Sequence, residues 1–402
     1  MFAANVAALF GNKKAQLMMR GHRNTWQKLR TQISDTEHPI WFHAASLGEF
    51  EQGRVLIERI RREHPEEKIL LTFFSPSGYE VRKNWDGAHV ICYLPFDTML
   101  NARKFLRLAH PKMAFFIKYE FWANYLFQCH HRQVPVYSIS SIFRPRQIFF
   151  RWYNCGYSIV LKWISHFFVQ NEESRQLLTQ KGLTNVTVIG DTRFDRVVQI
   201  KEQARPLPFV EQFIKDEHLV FIAGSSWPPD EEVYIPYFEN KNWRIIVATH
   251  EVYEERMMAL KQRFENIGKR VVRYSEWQLD KSLNPADYDV MLIDCFGLLS
   301  SIYRYGTVAY IGGGFGVSIH NVPEAAVYGL PVLFGPNNQK FREAQELKQC
   351  GGAIEIHDKS EFVSTMQTFE KDESARKAAG KAASNYILQG AGASNSIYET
   401  LF

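Results

Sequence analysis

Residues 40–60 read IWFHAASLGEFEQGRVLIERI, and the fold prediction starts from this stretch. Its opening, Ile40–Ala44, is a short apolar run typical of a buried strand. The residues that follow, Phe50–Glu63, repeat apolar side chains at helical spacing. A strand that leads directly into a helix favours a parallel sheet with helices on both faces.

The same alternation recurs along the chain and predicts two domains. Strand-like runs occur in the first half at Ile69–Phe74, Val90–Leu94, Met113–Ile117, Val134–Ile139, Phe167–Val169 and Val186–Ile189. They resume in the second half at Leu219–Ala223, Ile245–Ala248, Val271–Val272, Val290–Ile293, Val308–Ile311 and Pro331–Phe334. A polar segment with two prolines separates the two series and reads as a linker.

The predicted fold class is therefore α/β, with two Rossmann-like, doubly wound domains that face a cleft. We expect the first domain at residues 1–202, the linker at 203–208 and the second domain at 209–402. The last predicted helix, Ser374–Leu388, is followed by a Gly/Ala/Ser segment and a short tail, and this last helix is expected to pack back on the first domain.

Composition excludes several classes of protein and suggests an anionic partner. The 402 residues are 46% hydrophobic and 23% charged, which excludes disorder, collagen and coiled coil as descriptions of the whole chain. The net charge of +5 divides into +11 for residues 1–200 and −6 for residues 201–402. A basic first half suits phosphates, nucleic acid or a lipid surface, or is a lysine-rich rim without a partner.

The cysteines and the apolar runs say less about the function than the charge does. The five cysteines are scattered without C-x-x-C spacing, which argues against a disulfide framework or a zinc site: Cys92, Cys129, Cys155, Cys295 and Cys350. No run reaches the length of a membrane span, and Phe2–Phe10 is too short to span and is a poor secretory signal. That stretch is an interfacial helix or the first helix of the fold.

Two motifs follow strands in the first half. In HAASLGE (43–49), Ser46 and Gly48 belong to a tight turn whose backbone N–H groups can face a ligand. Glu49 then begins a helix, where it serves as a general base or only complements the helix dipole. In KYEFWAN (118–124), Glu120 lies beside aromatic residues and either has a perturbed pKa or forms a structural ion pair.

Motifs in the second half favour nucleotide binding. The run GGGFG (312–316) contains Gly313 and Gly314, which allow the backbone to approach a phosphate. It lacks the Rossmann and P-loop spacings, but HNVPE (320–324) follows and supplies His320, Asn321 and Glu324 for phosphate and sugar oxygens. The alternative is a structural turn. Two further strand ends present polar side chains, Gly224-Ser225-Ser226 and Ala248-Thr249-His250.

A basic and aromatic segment, Phe143–Trp163, indicates which kinds of partner the protein can bind. It interleaves Arg144 and Arg146 with several aromatic side chains. Such a mixture suits a membrane interface, an acylated and phosphorylated acceptor, or stacking on single-stranded nucleic acid. It also suits an aromatic core helix with a solvated basic face.

Together these motifs resemble the 3-deoxy-D-manno-octulosonic acid (Kdo) transferases of lipopolysaccharide and lipid A biosynthesis. The resemblance rests on WFHAASLGE (41–49), TFFSPSGYE (72–80), YLPFD (93–97), KYEFWAN (118–124), GDTRFDRV (190–197), AGSSWPPDEE (223–232), IGGGFG with HNVPEAA (320–326), and FGPN (334–337). It implies a GT-B glycosyltransferase, of family 30, at the cytoplasmic side of the inner membrane.

The resemblance also implies a reaction and roles for named residues. Kdo would pass with inversion from CMP-Kdo to a phosphorylated, acylated glucosamine disaccharide (lipid IVA), without a metal and without a nucleic acid partner. Glu49 would be the general base, Glu120 a second essential acid, and Arg193, where the family usually has Lys, would stabilise negative charge. The implied nucleotide pocket comprises Ser225, Ser226, His250, Phe296, Gly297, Leu298, Asn321 and Glu324, with Ala248, Thr249, Gly313, Gly314, His320, Val322 and Pro323 beside them.

Two departures from the family pattern are visible. Ala248-Thr249-His250 stands where the family commonly reads Pro-Arg-His, so the charge of that Arg must come from elsewhere. Trp122-Ala123-Asn124 replaces the usual Trp-Pro-Asn. The competing hypotheses are another GT-B enzyme that uses a UDP-sugar, a sugar-nucleotide epimerase, and a non-catalytic basic module that binds a membrane surface.

Overall fold

A computed structural model describes residues 13–151, 156–214 and 219–402. It contains two parallel sheets of seven strands each, with helices between successive strands, as the sequence predicts. The chain divides into two compact units. Unit 1 comprises the described residues up to Arg196 together with Ala391–Phe402, and unit 2 is Val197–Gly390.

The sheet of unit 1 has the strand order β3-β2-β1-β4-β5-β6-β7. Its strands are β1 (Ile40–Ala44), β2 (Ile69–Phe73), β3 (Val90–Tyr93), β4 (Met113–Ile117), β5 (Val136–Ser141), β6 (His166–Val169) and β7 (Val186–Val188). The helices along this part are α1 (Lys13–Gln32), α2 (Leu47–Glu63), α3 (Pro76–Arg82), α4 (Met99–Ala109), α5 (Ala123–His131), α6 (Glu172–Thr179) and α7 (Thr192–Gln203).

Alternating side chains of β1 supply the two cores of unit 1. Trp41 packs on one face against Phe105 and Phe116, with ring centroids 4.9 and 5.0 Å away. Phe42 lies on the other face and stacks on Phe115 at 4.6 Å. All five residues of β1 are buried, which is the pattern of a central strand in a sheet covered on both sides.

The sheet of unit 2 has the order β10-β11-β9-β8-β12-β13-β14. Its strands are β8 (Leu219–Ser226), β9 (Trp243–Thr249), β10 (Val271–Arg273), β11 (Val290–Ile293), β12 (Val308–Ile311), β13 (Val332–Phe334) and β14 (Ala353–Glu355). Its helices are α8 (Pro208–Ile214), α9 (Pro228–Tyr234), α10 (Glu254–Glu265), α11 (Tyr274–Leu279), α12 (Leu299–Ile302), α13 (Pro323–Ala326), α14 (Arg342–Gln349), α15 (Lys359–Lys371) and α16 (Glu373–Gly390).

The division between the units falls between Arg196 and Val197, inside α7, whereas the sequence prediction puts the boundary at residues 203–208. Of that linker, residue 203 ends α7 and Pro208 begins α8. Strand β14 is absent from the sequence prediction because its three residues carry too few apolar positions to stand out.

The chain ends in a further helix, α17 (Ala393–Leu401), where the sequence analysis identifies only a short tail. Helix α17 belongs to unit 1. The Asp195 carboxylate accepts hydrogen bonds from the amide groups of Gly392 (2.5 Å) and Ser394 (2.6 Å), at the N-terminus of α17. The guanidinium of Arg59 lies 3.8 Å above the Tyr398 ring. A side chain from a distant helix therefore supplies the cap that the sequence around residue 392 lacks.

The basic and aromatic segment does not form one continuous helix. It contains two short 3₁₀ turns, Ile148–Phe150 and Tyr157–Trp163. Phe143 and Phe149 are buried in the core of unit 1, whereas Arg144 and Arg146 are exposed. Residues 152–155 of this segment, and with them Cys155, lie outside the described residues, as does Phe2–Phe10. In the described part of the chain, no helix combines the length and apolarity needed to cross a membrane.

The cap on α17 leads to a stability prediction. Asp195→Ala removes the acceptor of two helix N-terminal amides, and such a cap stabilises a helix by about 1 kcal/mol. We expect hydrogen exchange of the α17 amides, followed by mass spectrometry, to become several-fold to about tenfold faster. The control is Glu202→Ala, an exposed acid on the same helix α7. Equal exchange of α17 in both variants would contradict the capping role.

Candidate active site

The site in unit 1 forms where two neighbouring strands end. Strands β1 and β4 are adjacent in the parallel sheet, and His43 pairs in register with Phe116. The chain leaves β1 toward α2 and leaves β4 toward α5, so the loops after both strands meet at one edge. This is the position where the strand order reverses, and ligands bind at such points in open α/β sheets.

Glu49 lies in the first turn of α2 and is half-buried. Its Oε2 accepts hydrogen bonds from the amide groups of Ala45 (2.6 Å) and Ser46 (3.2 Å). Both bonds end on Oε2, so Oε1 has no hydrogen bond to the described residues and can accept one from a ligand. Burial, and next the negative charge of Glu120, raise the pKa of the Glu49 carboxyl to about 7.

Glu120 lies in the loop between β4 and α5. The preceding Lys118 adopts a left-handed conformation with φ 65°, which turns the chain sharply at the end of the strand. The indole Nε1–H of Trp122 donates to Glu120 Oε2 at 2.5 Å, and His43 Nε2 lies 3.5 Å from the same oxygen. The structure thus brings the two acids predicted from the sequence into electrostatic contact.

Arg193 lies in the first turn of α7 and faces a carboxylate of its own segment. Its Nε and Nη2 donate to Asp191 Oδ2 at 2.9 and 2.7 Å. The neighbouring Thr192 hydroxyl donates to Ser140 Oγ at 3.0 Å, which ties this turn to the end of β5. The charge of Arg193 lowers the pKa of the Tyr119 hydroxyl, although burial leaves that pKa above its usual value. Arg193 thus acts electrostatically on the residue directly before Glu120, and its role in the site stays a prediction.

The weaker predictions in unit 1 lie at its edge. Ser46 precedes α2 and contributes its amide to Glu49, and Gly48 is exposed with open space where a Cβ would be. Arg144 acts electrostatically on Tyr119, which places it near the site. Arg146 is exposed, and its carbonyl accepts from Arg151 Nε at 2.8 Å.

In unit 2 a buried carboxylate fixes the glycine-rich loop by hydrogen bonds. The buried carboxylate of Asp230 accepts hydrogen bonds from the amide of Gly313 (2.8 Å), the amide of Phe315 (3.4 Å) and the Tyr310 hydroxyl (3.0 Å). A Cβ on Gly314 would lie 2.5 Å from the backbone nitrogen of Gly335. The Gly313 amide is therefore bonded within the fold and Gly314 packs against a second loop, and the expectation that this run approaches a phosphate stays a prediction.

A small cavity lies beside this loop. It has a volume of about 180 Å³ and is lined by Trp227, Pro229, Gly313, Gly316, Val317, Ser318 and His320. The His250 ring stacks on two of the lining residues, with centroids 4.6 Å from Trp227 and 4.4 Å from His320, and the Trp227 indole donates to His320 Nε2 at 3.2 Å. Sequence reasoning missed Trp227 as a site residue, although its position directly after β8 gave the signal.

The other predicted nucleotide residues divide by exposure. Phe296, Gly297 and Asn321 are exposed, Leu298 and Glu324 are partly exposed, and Asn321 Nδ2 donates to Glu324 Oε1 at 2.6 Å. Ser225 is partly exposed with φ 53°. The side chains removed from solvent are those of Ser226, Ala248, Thr249, Val322 and Pro323.

Two of the buried residues are already bonded. The Ser226 hydroxyl bonds Glu231 and Tyr234, and the Thr249 hydroxyl donates to the carbonyl of Glu251 at 2.6 Å. The hydroxyls of Ser226 and Thr249 are therefore engaged within the fold, and the part of the five buried residues in ligand binding stays a prediction. Among the described residues, no group of three or more His, Cys, Asp and Glu is arranged to hold a metal ion, and the expectation of metal-independent chemistry stays a prediction.

The raised pKa of Glu49 predicts a pH-dependent stability. Between pH 4.5 and 7 the folded protein keeps a proton on Glu49 that the unfolded chain has lost, so this group lowers the free energy of unfolding as the pH rises. Relative to the wild type, Glu49→Gln should gain roughly 2–3 kcal/mol in the free energy of unfolding from pH 4.5 to 8. Urea denaturation across that range measures the difference, with the exposed Glu66→Gln as control. A difference independent of pH would contradict the burial of an ionisable Glu49.

Comparison with known proteins shows a sequence similarity to Kdo transferases. Residues 19–196 match the family model described as 3-deoxy-D-manno-octulosonic-acid transferase (kdotransferase). The chain is 26% identical to the 3-deoxy-D-manno-octulosonic acid transferase of Rickettsia conorii, over 82% of this chain and 71% of that protein. It is 24% identical to the transferase of the same name from Aquifex aeolicus, over 83% of this chain and 86% of that protein.

Solved structures agree on the fold. A UDP-GlcNAc 2-epimerase from Neisseria meningitidis superposes with a TM-score of 0.63 at 13% identity, covering 90% of this chain and 99% of that one. MurG from Acinetobacter baumannii superposes with a TM-score of 0.57 at 9% identity, covering 91% and 99%. At such identities the likeness concerns the fold alone, which is the two-domain α/β fold known as GT-B. With the sequence matches, it supports a Kdo transferase with the GT-B fold of glycosyltransferases.

Proposed function

We propose that the protein transfers Kdo, with inversion, from CMP-Kdo to a phosphorylated, acylated glucosamine disaccharide of the lipid IVA type, with Glu49 as the general base. The observation that carries the proposal is the Glu49 carboxylate at the end of β1. One of its oxygens is held by two backbone amides, and the other has no hydrogen bond to the described residues. A pKa near 7 allows the group to accept a proton at neutral pH and release it afterwards.

The reaction balances without a further reactant. The acceptor hydroxyl gives its proton to Glu49 Oε1 while its oxygen forms a bond to the anomeric carbon of Kdo. The bond from that carbon to the phosphate oxygen breaks, and CMP leaves with the electron pair. Glu49 returns its proton to solvent after the product departs.

We assign separate roles to Glu120, to Arg193 and to unit 2. Glu120, held by the Trp122 indole, keeps a negative charge near Glu49 and so maintains its basicity. Arg193, oriented by Asp191, is assigned to negative charge on the departing nucleotide or on the Kdo carboxylate. Unit 2 is assigned the nucleotide, on the basis of its cavity beside Trp227 and the ring stack of His250 and His320.

The acceptor is a lipid, so we also propose a peripheral position at the cytoplasmic face of the inner membrane, within cell envelope biosynthesis. Arg144, Arg146, Ile148 and Ile159 are all exposed, and they belong to one sequence segment of unit 1. Basic and apolar groups together bind anionic lipid surfaces. The proposal includes neither a metal nor a nucleic acid partner.

The first functional prediction concerns Glu49. With CMP-Kdo and tetraacylated lipid A precursor, the wild type should yield products heavier by whole Kdo units in mass spectrometry. Glu49→Gln keeps the size of the side chain and an acceptor for the Ala45 amide but cannot take a proton. We expect its kcat to fall by about 10²–10⁴.

Glu66→Gln, a change of the same kind at an exposed position, is the control and should retain full activity. Transfer by Glu49→Gln at the wild-type rate would overturn the assignment of the base and favour a non-catalytic role for this region. The absence of product in the wild type, despite CMP binding, would overturn the acceptor assignment.

The second functional prediction concerns the nucleotide. CMP should raise the Tm of the protein by about 2–4 °C at saturating concentration, and UDP should raise it much less. Because His250 forms the exposed part of the ring stack, His250→Ala should weaken CMP binding roughly tenfold. His357→Ala, at an exposed position elsewhere in unit 2, is the matched control. A larger shift with UDP than with CMP would favour an enzyme that uses a UDP-sugar, or an epimerase.

A further inference from the structure

His43 is a fully buried histidine next to the two acids, and the proposed reaction does not yet use it. It is the fourth residue of β1, and its side chain is 0% exposed. Its ring packs edge-on against Phe116 (5.6 Å between centroids) and Trp122 (5.8 Å). Neighbouring aromatic rings therefore fix the imidazole in one orientation.

The hydrogen bonds around Thr72 limit which ring nitrogens of His43 can carry a proton. Thr72 Oγ1 lies 2.8 Å from Trp41 Nε1, 2.9 Å from His43 Nδ1 and 3.2 Å from the carbonyl oxygen of Phe42. The indole can only donate and the carbonyl can only accept. The single hydroxyl proton of Thr72 therefore goes either to His43 Nδ1 or to the Phe42 carbonyl.

While Glu120 is ionised, both arrangements place a proton on Nε2 of His43. If Thr72 donates to Nδ1, the neutral ring carries its proton on Nε2. If Thr72 donates to the carbonyl, Nδ1 carries a proton, and a bare Nε2 would then face the Glu120 carboxylate at 3.5 Å. Two acceptors repel each other at that distance, so Nε2 must be protonated as well while Glu120 is ionised.

Nε2 is also a buried polar atom with no other partner among the described residues. A buried N–H without an acceptor is costly, so its interaction with Glu120 is the one that satisfies it. The separation of 3.5 Å is long for a hydrogen bond, and bonds of this kind often shorten only when a ligand binds.

We propose that His43 is a positioning residue whose Nε2–H holds the Glu120 carboxylate in place beside Glu49. The inference rests on the proposed role of Glu49. The charged groups that act on Glu49 are Glu120 and Lys118, both from the loop after β4. His43 then acts on the base indirectly, through the charge of Glu120.

The test uses two amides that each keep one of the two nitrogens of histidine. Gln places its amide nitrogen near the position of Nε2, so His43→Gln retains the donor to Glu120. Asn places it near Nδ1, so His43→Asn retains only the contact with Thr72. The readout is the titration midpoint of the Glu49 carboxyl carbon by ¹³C NMR in the full-length protein, assigned from its loss in Glu49→Gln.

Without its donor, the Glu120 carboxylate is no longer held in its position beside Glu49, and its repulsion of negative charge on Glu49 weakens. The Glu49 midpoint should therefore fall by roughly 0.5–1 pH unit in His43→Asn and in Glu120→Gln. It should stay at the wild-type value in His43→Gln. Adding His43→Asn to Glu120→Gln should cause no further shift, because His43 acts through Glu120.

The outcomes separate the two proposals. A shift in Glu120→Gln without one in His43→Asn overturns the role of His43, and so does a further shift in the double variant. This titration needs no substrate, so it stands even if Kdo transfer is not observed. If transfer is observed, kcat should fall at least about tenfold in His43→Asn and recover in His43→Gln. Equal loss in both would indicate a purely structural histidine.

Discussion

The hydrogen-bonded pairing of β1 with β4 is the constraint on which the unit 1 site depends. These strands are far apart in the sequence, yet their adjacency brings the loop with Glu49 and the loop with Glu120 to one edge of the sheet. The same pairing sets His43 in register with Phe116, so the histidine lies beneath both loops. A one-residue slip would turn His43 to the opposite face, where Phe42 packs on Phe115. The chemistry of this unit is therefore a consequence of strand register.

Unit 2 uses the corresponding strand pair for another purpose. Strands β8 and β12 are adjacent where its strand order reverses, and their loops carry Ser225 with Trp227 and the glycine-rich run. A Cβ on Gly312 would lie 2.3 Å from the carbonyl oxygen of Ser225, so the two loops touch through their backbones. The glycines serve loop-to-loop contact, and the aromatic rings beside them line the cavity. Equivalent topological positions thus present carboxylates in one unit and stacked rings in the other.

Most of the fold could be predicted from the sequence because most of the strands are short and largely buried apolar runs. Four of them, such as Met113–Ile117, have the predicted bounds, and the others differ by one to three residues at an end. The helix at residues 393–401 could not be predicted, since its cap is Asp195 on a distant helix. Glu49 and Glu120 stood out because they follow strands, and their roles stay predictions. His43 did not stand out, because its importance depends on a hydrogen-bond arrangement between three strands that no local pattern encodes.

A comparison of two acids explains why a sequence motif alone cannot assign a catalytic base. Asp230 and Glu49 both lie in the first turn of a helix that follows a central strand. Each accepts a hydrogen bond from the backbone amide three residues before it, Trp227 for Asp230 and Ser46 for Glu49. Asp230 is fully buried, and four donors converge on its two oxygens: the amides of Trp227, Gly313 and Phe315 and the Tyr310 hydroxyl. Glu49 is only half-buried, and its two bonds share one oxygen. Both oxygens of Asp230 are therefore engaged in hydrogen bonds within the fold, whereas Oε1 of Glu49 is available to a substrate. Burial raises the pKa of both, so the distinction lies in the unused oxygen rather than in the pKa.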